Sequence, residues 1–307
     1  MNTEQKIVFM GTPDYATVIF ERLLEENYNI VALFTQPDKP VGRSQELTPP
    51  HIKKFALDNG LSLPICQPNS LREKATISNI KELNPDIIIV AAYGQILPKE
   101  ILDIAPCINL HASLLPKYRG ASPIQQSILN DDKYTGVTAM FMDVGLDSGD
   151  ILGLKYLPIE KDMVVSELFD GLSNIAASLT IETLENFDNI KPKKQNLTLV
   201  SHCGKVKKTD GLVDFINATV LYNTYRAYKS WPDIYLSSKM KIKECLLEDT
   251  LSTNTSGEIL VIDKTSVVVG CTIGSIRIFK VQPSSKKEMN VVDYIRGKRL
   301  NIGDIIS

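Results

Sequence analysis

No apolar run in this chain approaches the roughly 20 residues of a membrane-spanning helix; the longest strongly apolar stretch is Ile87 to Ala92. Cysteine is sparse and unpatterned. Cys66, Cys107, Cys203, Cys245 and Cys271 include no CxxC, which argues against a disulfide framework and against a structural zinc site. HExxH and GxSxG are missing, and no cysteine stands in a nucleophile context, so zinc-peptidase and serine- or cysteine-hydrolase chemistry have no carrier. No metal is expected. The glycine-rich phosphate turn is missing too: the first apolar run ends in Gly11-Thr12-Pro13-Asp14-Tyr15, with one glycine where G-x-G-x-x-G has three. That disfavours a dinucleotide cofactor. Repeats and low-complexity tracts are absent. The apolar run within the amino-terminal MNTEQKIVFM is too short for a signal peptide, and a cytoplasmic protein is the expectation.

What the 307 residues do contain is core material. They are 43% hydrophobic and 23% charged, the proportions of a globular protein with room for two domains. The net charge of -2 hides an asymmetry. Residues 201–307 carry 16 Lys+Arg against 11 Asp+Glu, a net of +5, which leaves residues 1–200 at -7. A basic module on an acidic body suits a polyanionic partner held by one domain.

Short apolar runs alternate with helix-like stretches in the first half. KIVFM (6–10), NIVALFT (29–35), Leu63–Cys66, DIIIVAA (86–92) and CINLH (107–111) read as strands. Ala16–Leu24, Ser70–Leu83 and Pro98–Ile104 read as helices, the first opened by Thr12-Pro13-Asp14 with a capping hydroxyl, a first-turn proline and an acid. This alternation predicts a Rossmann-like α/β fold, a doubly wound, mostly parallel sheet. The polar KPKKQNLT breaks the pattern and predicts a linker, giving domains 1–189 and 208–307 about residues 190–207. Beyond it come one helix over Asn217–Lys229 and short runs at Ile234–Leu236, Gly257–Ile262, Ser266–Val269 and Ser275–Val281, then a last helix over Asn290–Ile295. These predict a small β-rich domain, a barrel.

Chemistry concentrates in NLHASLLPKYRGASP (109–123). Asn109 and His111 stand two apart on a candidate strand, so their side chains share a face. Side chains leaving the carboxyl end of a parallel strand point into the crevice where open α/β sheets bind ligands. A second strand, TGVTAMFM (135–142), runs into Asp143-Val144-Gly145-Leu146-Asp147-Ser148-Gly149-Asp150. These aspartates suit a tight turn; the EF-hand spacing is absent; or one of them holds and charges His111. Asn, His and Asp without a nucleophile suit acyl transfer between two bound substrates. An amide and an imidazolium stabilise an oxyanion, and a carboxylate keeps the imidazole charged.

At these residues the chain resembles the folate-dependent formyltransferases. The resemblance is carried by GTPDYA (11–16), FTQPDKPVGR (34–43), AAYGQILP (91–98), NLHASLLPKYRGASPIQ (109–125), TGVTAMFMDVGLDSGD (135–150) and WP (231–232), and it spans nearly the whole length. It is similar above all to the branch that formylates methionyl-tRNA. The resemblance implies the formyltransferase fold with an OB-like C-terminal barrel. It also implies 10-formyltetrahydrofolate as formyl donor and methionyl-initiator-tRNA as acceptor. Carried over by position, Asn109 binds the formyl oxygen, His111 stabilises the oxyanion, and Asp147 orients His111 and assists proton transfer. Ser113, Leu114, Leu115 and Pro116 match the folate-binding segment, and Tyr93 and Gly94 match a loop lining the pterin pocket. Lys39 and Arg43 fall in a loop that meets the tRNA acceptor stem. Ser148 stands where threonine is usual, Lys117-Tyr118 replaces Arg-Trp, and the GRSQEL loop has fewer lysines than in many relatives, so the expected tRNA hold shifts to the C-terminal domain. The alternative is the same chemistry on an amino sugar or another small amine. A monomer is expected, since nothing in the sequence obliges a dimer.

Overall fold

The computed structural model describes residues 4–41 and 45–306. In chain order the elements are β1 (Lys6–Gly11), α1 (Asp14–Glu25), β2 (Asn29–Phe34), β3 (Lys39–Val41), β4 (Glu46–Thr48), α2 (His51–Asp58), β5 (Ile65–Cys66), α3 (Lys74–Leu83), β6 (Ile87–Ala91), α4 (Lys99–Leu102), β7 (Cys107–His111), β8 (Arg119–Gly120), α5 (Pro123–Leu129), β9 (Tyr134–Phe141), β10 (Ile151–Pro158), α6 (Val165–Glu185) and β11 (His202–Cys203). Then follow α7 (Ala218–Tyr228), β12 (Ile234–Tyr235), β13 (Lys241–Asp249), β14 (Ile259–Ile262), β15 (Val267–Gly270), β16 (Ser275–Gln282), β17 (Met289–Asn290) and α8 (Val291–Lys298). The chain divides into two compact units. The first comprises Met1–Pro123, Tyr134–Pro158 and Phe169–Cys203, the second Ile124–Lys133, Ile159–Leu168 and Gly204–Ser307. None of the described helices is long and apolar enough to cross a membrane.

The first unit is built on a seven-stranded sheet, β10-β9-β7-β6-β1-β2-β5. Five strands run parallel, while β9 is antiparallel to both of its neighbours. Central strands are buried from end to end, as β6 is from Ile87 to Ala91, because helices cover both faces. The chain builds outward from β1 through β2 to β5, then returns to place β6 on the other side of β1. That reversal puts a topological switch point between the carboxyl ends of β1 and β6, where Gly11 pairs with Ala91. Gly11 allows close packing here: a β-carbon on it would lie 2.5 Å from the Ala16 β-carbon. Thr12 does not cap α1. Pro13 is the cap residue, and the Thr12 hydroxyl donates to Tyr93 O at 2.9 Å, tying the β1 and β6 loops together.

The segment read as a linker is bound to the first unit along much of its length. Lys193 exchanges backbone hydrogen bonds with Ile151, Ser201 O accepts from Arg119 N, and β11 pairs in parallel with β8.

The second unit holds an antiparallel sheet in the order β12-β13-β16-β15-β14, with β17 beside β16. Its pairings run as an open path, and none joins β12 to β14 among the described residues. Two asparagines start its helices: the Asn217 side chain accepts from Val220 N before α7, and that of Asn290 from Val292 N before α8.

Candidate active site

Strand β7 delivers Asn109 and His111 to the carboxyl edge of the sheet, beside the switch point. Its register with β9 sets Asn109 against Met140 and His111 against Thr138. Alternation puts both side chains on one face. His111 is 6% exposed. Its Nε2 lies 2.9 Å from Tyr118 O. A carbonyl can only accept, so Nε2 carries the hydrogen. The other ring nitrogen, Nδ1, lies 3.7 Å from Asp147 Oδ2. Asn109 is half-buried, and its amide has no hydrogen-bond partner among the described residues. A free amide in a partly buried crevice is available to a ligand.

The aspartate loop divides its labour. Asp143 builds the turn, accepting from Gly145 N at 2.8 Å and from the Ser148 hydroxyl at 2.6 Å. Asp147 instead reaches the histidine. It sits at φ 48, the left-handed region that aspartate tolerates better than most residues. Its Oδ2 accepts from Gly120 N at 2.7 Å, which aims the carboxylate. Gly120 has φ 120, and a β-carbon there would lie 2.1 Å from Cys203 O. Only glycine brings this amide to Asp147.

The residues expected to bind folate, Ser113 to Pro116, form a compact turn after β7, through a cis Leu115–Pro116 peptide. Ser113 is fully buried, and its hydroxyl donates to Lys117 O at 2.6 Å, so it shapes the turn and presents no free hydroxyl. Thr138 on β9 pins the segment, donating to Ser113 O and accepting from Leu115 N. Leu114 and Pro116 stay partly exposed, whereas Leu115 is buried. In the loop after β6, Tyr93 is buried in the core with Phe34, Leu71 and Leu97, and burial pushes its phenol up. Gly94 is exposed at φ 86, with the Gln36 side chain 3.9 Å from where its β-carbon would be. Lys39 stands exposed on β3, and Arg43 lies outside the described residues. Hydrogen bonds from Gln67 and Lys53 anchor Asp38 just before β3 and hold its carboxyl below the usual carboxylate range.

Neither Cys203, paired with Gly120 beside the site, nor Cys107, at the opposite end of β7, supplies a thiolate at neutral pH. Burial pushes Cys107 up to about 12 and raises Cys203. The geometry thus offers an imidazole–carboxylate pair and a free amide without an activated nucleophile. That set stabilises charge and moves protons in a direct transfer. Sequence reasoning missed Gly120, Thr138, Arg119 and Gln195, which hold the set in place. Arg119 and Gly120 lie inside the quoted motif, but nothing in the pattern assigned them these contacts.

The family profile described as "Formyl transferase" matches residues 5–184, and "Formyl transferase, C-terminal domain" matches residues 205–299. The chain is 54% identical over 303 residues to a methionyl-tRNA formyltransferase of Sulfurimonas denitrificans, covering 98% of this chain and 100% of the relative. It is likewise 54% identical to one of Nitratiruptor sp., covering 97% and 99%. Among solved structures, an N-formyltransferase from Helicobacter canadensis, in complex with folinic acid and dTDP-3-aminofucose, superposes with a TM-score of 0.67 at 18% identity. That match covers 90% of this chain and 99% of the other, and shows the shared fold. The chain belongs to the formyl transferase family, in the group of the methionyl-tRNA formyltransferases.

Proposed function

We propose that this chain moves the formyl group of 10-formyltetrahydrofolate to the free α-amino group of methionyl-initiator-tRNA, giving formylmethionyl-tRNA and tetrahydrofolate. One observation carries the reading. The His111–Asp147 pair shares a sheet edge with the unpartnered amide of Asn109, in a chain with full-length relatives of that name. The local residues suit a folate: exposed backbone at Gly94, partly exposed Leu114 and Pro116 for an aromatic ring, and a free amide for a carbonyl oxygen.

The donor supplies the formyl carbon. A bond forms between that carbon and the amine nitrogen, the bond from carbon to N10 breaks, and one amine proton is transferred to N10. Asn109 donates from Nδ2 to the formyl oxygen. With Nε2–H fixed on Tyr118 O, the open lone pair of His111 is on Nδ1, beside Asp147. A proton taken there makes an imidazolium held between two acceptors, and its charge stabilises the oxyanion. Ser113, Leu114, Leu115, Pro116, Tyr93 and Gly94 shape the folate pocket. Lys39 and Arg43 serve the acceptor stem, and the basic C-terminal domain, read as an OB-like module, holds tRNA phosphates. In this reading 1–189 is the catalytic domain, 190–207 the connection and 208–307 the tRNA domain.

The test offers purified protein and formyl donor three amines: methionyl-initiator-tRNA, an amino-sugar nucleotide and glycinamide ribonucleotide. Turnover should favour the tRNA strongly, and His111→Ala should lower it by about 10²–10³-fold, the loss typical of one oxyanion stabiliser. Preference for a small amine, or near-normal turnover in the variant, overturns the reading.

A further inference from the structure

The polar segment that reads as a plain connection carries one buried side chain that reaches the site. Gln195 is 7% exposed, although its neighbours Lys194 and Asn196 are exposed. Its Nε2 donates to two carbonyls of the aspartate loop, Asp147 O and Gly149 O, each at 2.9 Å. Its Oε1 accepts from Arg119 twice, from Nε at 3.1 Å and Nη2 at 2.7 Å. Arg119 is 7% exposed and directly precedes Gly120, whose amide aims the Asp147 carboxylate. One side chain therefore fixes both the residue that carries the carboxylate and the strand that orients it.

The surrounding backbone supports this role. Lys193 pairs with Ile151 at the exit of the aspartate loop, while Ser201 receives hydrogen bonds from Tyr118 N and Arg119 N. Residues 193–203 thus run past both loops of the site, and Gln195 is the side chain that bonds to both. A glutamine meets this demand through its composition: two donors for two carbonyls and one acceptor for a guanidinium. Its hydrogen-bonding groups are buried and fully used, so each lost bond leaves a polar group unpaired.

We propose that Gln195 is a positioning residue for formyl transfer, holding Asp147 at His111 by bridging the Asp147–Gly149 loop to Arg119 and Gly120. The inference rests on the function proposed above. Gln195 touches neither substrate nor reacting atoms and acts through Asp147.

Gln195→Glu separates this role from mere packing. The carboxylate still accepts from Arg119, so the buried guanidinium stays paired, but it donates nothing to Asp147 O and Gly149 O and repels both. Single-turnover formylation of methionyl-tRNA should slow on the order of 10²-fold, the scale of an ångström-level misplacement. The KM for the formyl donor should stay within about 2-fold, because the Asn109 and Leu114–Pro116 surfaces are untouched. Hydrogen exchange at the Gly120 amide should accelerate by at least about 10-fold as its carboxylate acceptor is released. In an Asp147→Ala background, Gln195→Glu should slow the reaction no further. Gln195→Met, near in size and without donors, repeats the measurements should the first variant fold poorly. Wild-type rate, an unchanged Gly120 exchange rate, or an additive effect with Asp147→Ala overturns the proposal. A wild-type protein inactive on methionyl-tRNA instead refutes the function on which it rests.

Discussion

A glycine decides the geometry of the carboxylate. Gly120 combines φ 120 with a backbone approach that leaves no room for a β-carbon beside Cys203 O. Gly120→Ala must therefore move β8 away from β11, and the amide that binds Asp147 moves with it. The expected result is a transfer rate lower by on the order of 10²-fold, with stability reduced by about 1–3 kcal/mol from the strained backbone. Gly297→Ala is the control. That glycine lies within α8 with open space around it, so alanine should be neutral or add about 0.5–1 kcal/mol. Thermal melts and single-turnover rates check both, and an active, stable Gly120→Ala protein refutes the steric argument. At this scale the sequence was legible where periodicity speaks. Asn109 and His111 share a face because a strand alternates, and the aspartate loop was visible as a turn. Which aspartate meets the histidine was not derivable from composition. Asp143 and Asp147 look alike in the chain, and only the turn hydrogen bonds of the first leave the second free to reach His111.

Elements buried on both faces were easy to place, because their residues are nearly all apolar. The strand read over Cys107–His111 has those bounds in the structure, and β6 departs from its expected range by one residue at each end. Elements whose polar groups find their partners once the element has formed stayed hidden. In α6, the hydroxyls of Ser173, Thr180 and Thr183 bond back to Phe169 O, Ala176 O and Leu179 O, so residues that weaken a helix in isolation are satisfied within it. Strand β13 reads as a charged stretch because Lys241 and Lys243 pair with Asp233, Glu244 with Lys280 and Glu248 with Arg277. Strand β9 shows how an element can serve a distant turn. Thr138 is fully buried and bonds both Ser113 O and Leu115 N. Thr138→Val keeps the shape and leaves two backbone groups unpaired, each costing about 1–3 kcal/mol. The denaturation midpoint should fall, and the KM for the formyl donor should rise roughly 10-fold, more than kcat falls, because the loosened turn is the proposed folate segment. An unchanged KM in a destabilised protein would remove that segment from the folate site.

Charge is legible only across the whole molecule, and it makes the broadest prediction. A body of -7 repels a polyanion, and a tail region of +5 attracts it. Domain boundaries drawn from sequence could not show that the second compact unit also takes in Ile124–Lys133 and Ile159–Leu168, because proximity of distant segments leaves no local pattern. Those segments bring Asp131, Asp162 and the Met163 carbonyl to α7, where Arg226 and Tyr222 bind them. Several other cations of the unit are not consumed in this way. Lys239, Lys264, Lys286, Lys287, Lys298 and Arg299 are exposed and have no ion-pair partner among the described residues. Phosphates that displace counterions onto such groups make affinity fall steeply with salt, with a slope set by the number of contacts. The proposed folate site offers an amide, an imidazole and backbone groups, and its affinity should respond weakly. Raising salt from 50 to 200 mM should therefore weaken methionyl-tRNA binding on the order of 10²-fold, while the KM for the formyl donor changes by less than about 3-fold, as screening reaches few of its contacts. Replacing Lys286, Lys287, Lys298 and Arg299 together with glutamine should flatten the tRNA salt slope and leave the donor KM unmoved. A slope unaffected by those four substitutions would place the phosphate contacts elsewhere on the molecule.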